Sequence, residues 1–191
     1  VVPSRRAVEL ARITRKDARL VEVILGESVR IVRAAPEVLI VEHRLGFIVA
    51  NAGVDQSNVG TSAGEHVLRL PGDPDASAAH LSAGLEREFG VSLGVIINDS
   101  FGRPWRRGTA GVAIGVAGLS SVVDMRGGKD RYGRTLRATI VALADEIASA
   151  ASLVMGQADE GQPVVHVAGL ASTPSVPASE LIRPAHEDLF R

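Results

Sequence analysis

The chain of 191 residues contains no cysteine. Disulfides, thiolate metal sites and cysteine nucleophiles are therefore excluded. Aromatic residues make up 3% of it, so a core has to be assembled from Val, Ile, Leu and Ala. Neither sign of charge is in excess: 21 Lys and Arg against 22 Asp and Glu leave a formal net charge of -1. A nucleic-acid binder or a basic membrane-surface binder would show a positive balance, so neither partner is expected. No apolar run is long enough to span a bilayer and no signal-peptide pattern is present, so a soluble cytoplasmic protein is the expectation. The five histidines, His43, His66, His80, His166 and His186, form no HxH or HExxH pair, which argues against a zinc hydrolase. A Walker lysine motif, a dinucleotide glycine fingerprint and a Gly-x-Ser-x-Gly elbow are missing too. There is no internal repeat, low-complexity tract or linker, and the length fits one sizeable domain or two small ones sharing a core.

What is present reads as alternating short elements. Ser4 predicts the N-cap of a helix with Ala7, Val8, Leu10 and Ala11 on its apolar face. Asp17 caps a second, with Leu20, Val21, Ile24 and Leu25 on one side and Gly26 ending it. Residues 29–32 read as a strand stopped by Pro36, and 38–41 and 47–49 as a hairpin around Glu42-His43-Arg44. Asp73-Pro74 opens a helix whose Ala78, Leu81, Leu85 and Phe89 share a face, and Gly90 closes it. The small-residue run 109–119, with Gly111, Gly115 and Gly118, predicts close backbone packing, for which a subunit interface is one setting. Val122 and Val123 read as a strand, and 127–134 as a solvated polar loop. The clearest helix covers 138–155, where Ile140, Leu143, Ala144, Ile147, Ala151 and Val154 follow the helical period. Asp145 and Glu146 then point off that face. Residues 164–167 read as a strand with His166 as a satisfied core or interface residue, and the tail from Ser172, with Pro174, Pro177 and Pro184, as irregular.

Three acidic-polar clusters adjoin these elements. In 95–108 an apolar strand, Val95 to Ile97, breaks into Asn98-Asp99-Ser100 and then a loop carrying Arg103, Arg106 and Arg107 around Trp105. Asp99 and Ser100 offer the hard oxygens that Mg²⁺ or Mn²⁺ takes, and arginine forks match phosphate or carboxylate. A turn with a solvated basic edge accounts for the same residues. In 50–60, Asp55 is a candidate metal ligand and Asn58 can donate to and accept from a nucleotide, whereas an Asx-type turn explains the cluster taken alone. The third cluster, 155–163, is a Gly- and Pro-punctuated connection rich in amide and carboxylate groups.

Together, Ala-Asn-Ala-Gly-Val-Asp-Gln-Ser-Asn-Val at 50–59, Asn-Asp-Ser-Phe-Gly-Arg-Pro-Trp-Arg at 98–106 and Leu-Val-Met-Gly-Gln-Ala-Asp-Glu-Gly-Gln-Pro at 153–163 carry a resemblance. With Ala-Asp-Glu-Ile-Ala at 144–148, in order along nearly the whole chain, they resemble the coenzyme F-420 gamma-glutamyl ligase family. The resemblance implies an α+β fold, a mixed and largely antiparallel sheet with flanking helices, in an interlocked homodimer. It implies addition of L-glutamate to the glutamate-free deazaflavin coenzyme, with GTP as co-substrate and an acyl-phosphate intermediate. Asp55 and Asp99 fall where the family binds one metal, and Ser100 and Gln157 where it binds a second. Mg²⁺ or Mn²⁺ would fill these two divalent sites, and a monovalent cation such as K⁺ is a further expectation. Asn58 and the segment Met155, Gly156, Gln157, Ala158, Asp159, Glu160, Gly161 and Gln162 match the GTP-contacting positions. Arg103 and Arg106 are expected to bind a phosphate or a substrate carboxylate. Ser100 stands where many relatives carry threonine, with the hydroxyl kept. The family's N-terminal nucleotide-binding segment has no counterpart in 1–191, so the expectation is a single ligase domain, N-terminally incomplete relative to the family and without its fused nitroreductase-like domain. Two alternatives remain open: a ligase of the same design with another acceptor or amino acid, and a non-catalytic nucleotide- or cofactor-binding homologue.

Overall fold

The computed structural model describes residues 1–59, 65–171 and 173–188; Gly60 and Ser172, at the edges of two segments singled out above, lie outside the described residues. The chain divides into two compact units, Val1–Pro71 with Phe101–Gly108, and Gly72–Ser100 with Thr109–Arg191.

The first unit opens with two capped helices. The Ser4 hydroxyl accepts from the Ala7 amide at 3.2 Å to start α1 (Arg5–Thr14), and Asp17 accepts from the Arg19 amide at 2.7 Å to start α2 (Ala18–Gly26). Each cap satisfies an amide that the first turn leaves without a carbonyl. The chain then forms the antiparallel sheet β1 (Ser28–Ala35), β2 (Val38–His43) and β3 (Ile48–Ala50), with β2 in the middle. Alternation along β2 sends Leu39, Val41 and His43 to the buried face. Leu39 and Val41 meet Ala7, Val21 and Ile24 in the core of this unit. After β3 the backbone turns left-handed at three successive residues, Asn51, Ala52 and Gly53, with φ of 54°, 54° and 65°. Only the last is glycine, so the bend is held against a backbone preference of roughly 1–2 kcal/mol per residue. Burial of Ala52 and Val54 in the core holds it there.

The second unit begins with α3 (Pro74–Phe89), capped by Asp73 and closed by left-handed Gly90. A hairpin follows, β4 (Val95–Arg103) with β5 (Arg106–Ala117), whose tip Phe101–Gly108 groups with the first unit. The two-residue pair β6 (Val123–Asp124) and β7 (Ile140–Val141) leads into α4 (Leu143–Met155). The core here is nearly all small: Ala113, Val116, Ala144, Ala148 and Ala178. Two glycines of β5 explain why. A Cβ on Gly111 would lie 2.5 Å from the Ala148 carbonyl oxygen, and one on Gly115 2.2 Å from that of Pro74. The close packing expected of this run is therefore strand against helix within one unit.

Three expectations need correction. Helix α4 starts at Leu143 rather than 138, because Ile140 and Val141 pair with β6 instead. Its buried residues are Ala144 and Ala148, and Asp145 turns toward β5, where its Oδ1 accepts from the Ala113 amide at 2.9 Å; Val154 is left 54% exposed. Residues 164–167 are not a strand: Val164 and His166 are exposed, and no neighbouring strand pairs with their backbone among the described residues. An apolar run without a ladder partner has no way to satisfy its amides except water. The overall α+β class, with small antiparallel sheets and flanking helices, is as expected. Among the described residues no helix is long and apolar enough to cross a membrane.

Candidate functional site

The arginine-bearing segment is the turn of a hairpin. β4 continues through Asn98, Asp99 and Ser100 to Arg103, so these three polar residues sit inside the strand and not at its end, as the abrupt polarity change had implied. The strand persists because β5 supplies ladder partners along it. Pro104 and Trp105 make the two-residue turn, with Trp105 at φ 56°. Proline first and a positive φ second is the pattern of a type II turn, in which the second place usually falls to glycine. Arg103 and Arg106 flank this turn on the two strand ends and are exposed, as is Trp105 at 81%.

The clusters around Asn98 and Met155 meet in the second unit. The Asn98 side-chain amide donates to the Ser152 hydroxyl at 3.3 Å and to the Met155 sulfur at 3.7 Å. That link puts the end of α4, and so the start of Met155–Gln162, beside the strand carrying Asp99 and Ser100. Asp99 Oδ1 accepts from the Ser100 amide at 2.7 Å. Beyond Met155, Gly156 has φ 75° and ψ -171°, and the Glu160 carboxylate lies over it, 2.0 Å from where a Cβ would be. The Ala158 amide donates to Glu160 Oε2 at 2.8 Å. Backbone amides of Ala158, Glu160 and Gln157, in that order of effect, hold the Glu160 carboxyl below its ordinary value. The segment is thus a ring of peptide donors closed around an anion of its own.

In the first unit Asp55 bridges to Leu68 through two backbone bonds of 3.0 and 2.8 Å. Its carboxylate accepts from the Ser57 amide at 2.8 Å and the Ser57 hydroxyl at 2.6 Å, the Asx-type turn anticipated for this stretch. Desolvation works to raise the Asp55 pKa, but the Ser57 and Gln56 donors outweigh it and hold the carboxyl below its ordinary value. Asn58 takes a left-handed φ of 52°. Asp55, Asn58, Arg103 and Arg106 therefore belong to one unit, and Asp99, Ser100 and Met155–Gln162 to the other.

Among the described residues no three or more His, Asp or Glu side chains gather as a metal cluster. The candidate donors Asp55, Asp99, Ser100 and Gln157 offer carboxylate, hydroxyl and amide oxygens, the class a hard divalent cation takes, and the low pKa of Asp55 keeps it anionic. The donor chemistry fits Mg²⁺ or Mn²⁺.

One group escaped the sequence reading. Glu27, 5% exposed at the end of α2, accepts from Arg44 Nε at 2.8 Å and from Arg69 at 2.9 Å, and its Oε2 lies 3.7 Å from His43 Nε2. Desolvation would raise the Glu27 pKa, but the two guanidinium groups overcome it and lower it. His43 is fully buried; its Nδ1 accepts from the Leu45 amide at 3.0 Å, and among the described residues its Nε2 has no hydrogen-bond partner. Burial first, and Arg44 second, lower its pKa against the pull of Glu27, so the ring is neutral. The available signal was the alternation of β2, which sends His43 inward with Leu39 and Val41.

By fold this is an α+β protein of small antiparallel sheets and flanking helices that carries an arginine-tipped hairpin. It belongs to the F420-0:Gamma-glutamyl ligase family, whose sequence profile matches residues 1–169. Relatives named coenzyme F420:L-glutamate ligase are similar along its whole length. The protein of Methanocaldococcus jannaschii is 46% identical over 193 residues, covering 100% of this chain and 76% of the relative. That of Methanothermobacter thermautotrophicus is 48% identical over 196 residues, with 100% and 76% covered. That of Methanopyrus kandleri is 49% identical over 198 residues, with 100% and 77% covered.

Proposed function

We propose that this chain catalyses GTP-dependent addition of L-glutamate to the glutamate-free deazaflavin coenzyme F420-0. The observation that carries the reading is the 46–49% identity, over all of the chain, to relatives of that name. In the proposed chemistry a carboxylate oxygen of the acceptor attacks the γ-phosphorus of GTP, and GDP leaves. The amine of glutamate then attacks the carbonyl carbon of the acyl phosphate. Inorganic phosphate departs with the C–O bond, and the amine proton passes to solvent as the amide forms. A second glutamate is joined through its γ linkage in the same way.

The chain's own groups suit these tasks. Arg103 and Arg106 take a phosphate or a substrate carboxylate, where a fork offers two parallel donors. Asn58 and Met155–Gln162 take the nucleotide, and the peptide amides of Gln157 and Ala158 that now face Glu160 are donors of the kind phosphate requires. Asp55 and Asp99 would hold one divalent ion, Ser100 and Gln157 a second, and K⁺ would serve as a monovalent cation. A bound Mg²⁺ or Mn²⁺ supplies neutralisation of phosphate charge. A homodimer is part of the same reading. In the second unit Leu153, Val164, Phe89 and Leu170 are 87%, 85%, 65% and 55% exposed, apolar side chains that a second copy of the chain would cover. The proposed site of action is the cytoplasm.

The test is mass spectrometry of F420-0 after incubation with the full-length protein, GTP, Mn²⁺ and L-glutamate, beside an Asp99→Asn variant. A product heavier by one or more glutamyl units, lost in the variant, is expected. No addition by a folded protein that binds GTP would move the assignment to another acceptor or amino acid; absence of GTP binding as well would leave a non-catalytic homologue.

A further inference from the structure

The arginine tip of the β4–β5 hairpin is joined to the rest of the first unit through an aromatic contact. The Phe47 ring lies 5.1 Å from that of Phe101, tilted by 54°, and Phe101 stands two residues before Arg103 on the same strand. On its other side Phe47 stacks on His43, ring centroids 5.0 Å apart and planes 11° apart. The turn between them is pinned: the His43 amide donates to the Phe47 carbonyl at 2.9 Å, and the Gly46 amide to the His43 carbonyl at 2.8 Å. The imidazole is held by the Leu45 amide, which donates to its Nδ1, and by complete burial. Phe47 also directly precedes β3, the strand that runs into the left-handed turn and Asp55.

We propose that Phe47 and Phe101 are positioning residues that set the Arg103–Arg106 tip relative to the segment carrying Asp55, with His43 as the fixed backing of Phe47. The catalytic part of this inference rests on the reading of the tip as an anion site. A two-stranded ribbon is marginally ordered by itself, so a tip with an exposed turn needs an anchor. Offset aromatic pairs supply one with a defined geometry. Placement matters for any group that must meet a phosphoryl oxygen, since a 1 Å error can cost about 10²-fold in rate.

Trp105 is the chain's single tryptophan and sits at the turn, so its emission reports tip order without any assay of activity. In Phe47→Ala its steady-state anisotropy is expected to fall, and in Phe47→Tyr, which keeps the ring, to stay near the parent value. Phe101→Leu tests the same joint from the other side if Phe47→Ala does not fold. Unchanged anisotropy in a folded alanine or leucine variant overturns the proposal. In glutamyl transfer, Phe47→Ala should lower kcat about tenfold, and adding Phe47→Ala to the Arg103→Ala/Arg106→Ala pair should slow that pair no further. A multiplicative loss in that background refutes positioning through the arginine tip. Full activity in both Arg103→Ala and Arg106→Ala refutes the anion reading itself, whatever Trp105 reports.

Discussion

Gly111→Ala puts the strand-on-helix packing of the second unit to its sharpest test. A Cβ there would lie 2.1 Å from the Ser152 hydroxyl oxygen and 2.5 Å from the Ala148 carbonyl oxygen. The hydroxyl belongs to a side chain that can rotate. The carbonyl is helix backbone, so reaching ordinary contact requires β5 and α4 to separate by roughly 1 Å. Overpacking of this kind costs about 1–3 kcal/mol. Two hydrogen bonds span or adjoin the contact, Ser149 Oγ to the Gly111 carbonyl at 2.7 Å and Asn98 to Ser152 at 3.3 Å. Weakening both adds about 1 kcal/mol each, for a total of about 3–5 kcal/mol. Urea unfolding followed by circular dichroism reads this as a fall of roughly 2 M in the midpoint, at a slope of about 2 kcal/mol/M. Ser152→Ala and the double variant decide the cause. If the hydroxyl were the whole obstacle, Gly111→Ala/Ser152→Ala would be as stable as Ser152→Ala. The carbonyl at 2.5 Å requires the double variant to remain at least about 2 kcal/mol below it. Equality of the two would refute the packing argument.

Three further outcomes follow from single interactions. Asp73→Ala removes the acceptor of the Ala76 amide at 2.9 Å and should cost about 1 kcal/mol in the same urea assay, with Asp73→Ser recovering most of it. Stability of the first unit should fall on acidification in two stages. Folded His43 refuses a proton that the unfolded chain binds below its ordinary pKa of 6.5, so stability is complete above 6.5 and declines below it, by at most about 1.4 kcal/mol per pH unit. Glu27, with a folded pKa below its ordinary 4.5, contributes stability above 4.5 that is lost as pH falls through the lower value. A thermal-melt series in pH should show His43→Gln losing the upper stage and keeping the lower; retention of both removes His43 as the cause. Ser57→Ala deletes the strongest donor to Asp55, so carboxyl titration by NMR should show the Asp55 pKa moving up, and no movement would deny that the turn holds it ionised.

The parts of the fold written locally could be read from the sequence. Ser4, Asp17 and Asp73 start helices because their oxygens bond amides two or three residues away, an interaction that needs no tertiary partner. The β2–β3 hairpin was similarly visible. The start of α4 was not, since Ile140 and Val141 fit the helical period and lost their place to pairing with β6. Periodicity also found only part of the buried side of α4: Ala144 lies on the face it assigned and is fully buried, whereas Ala148 lies off it. The large residues of that face include Ile147 and Val154, whereas the contact with Gly111 is made by the Ala148 backbone and the hydroxyls of Ser149 and Ser152. Where a helix packs on glycine, size rather than hydrophobicity chooses the buried side.

The candidate site was visible as residue types and hidden as geometry. Nothing local shows that Asn98 reaches Ser152 and Met155 across 54 and 57 residues, or that Glu160 folds back over Gly156. Likewise the stretch between Arg103 and Arg106 could be a loop or a turn, and Pro104 decides it by fixing φ at the first turn position. The second position is then the informative one. Glycine there would relieve a left-handed φ of 56° worth about 1–2 kcal/mol and remove an exposed indole, yet the chain places Trp105. In the proposed ligase, stacking and cation contacts of the exposed Trp105 with a ligand at the tip would recover on binding what the turn gives up in folding.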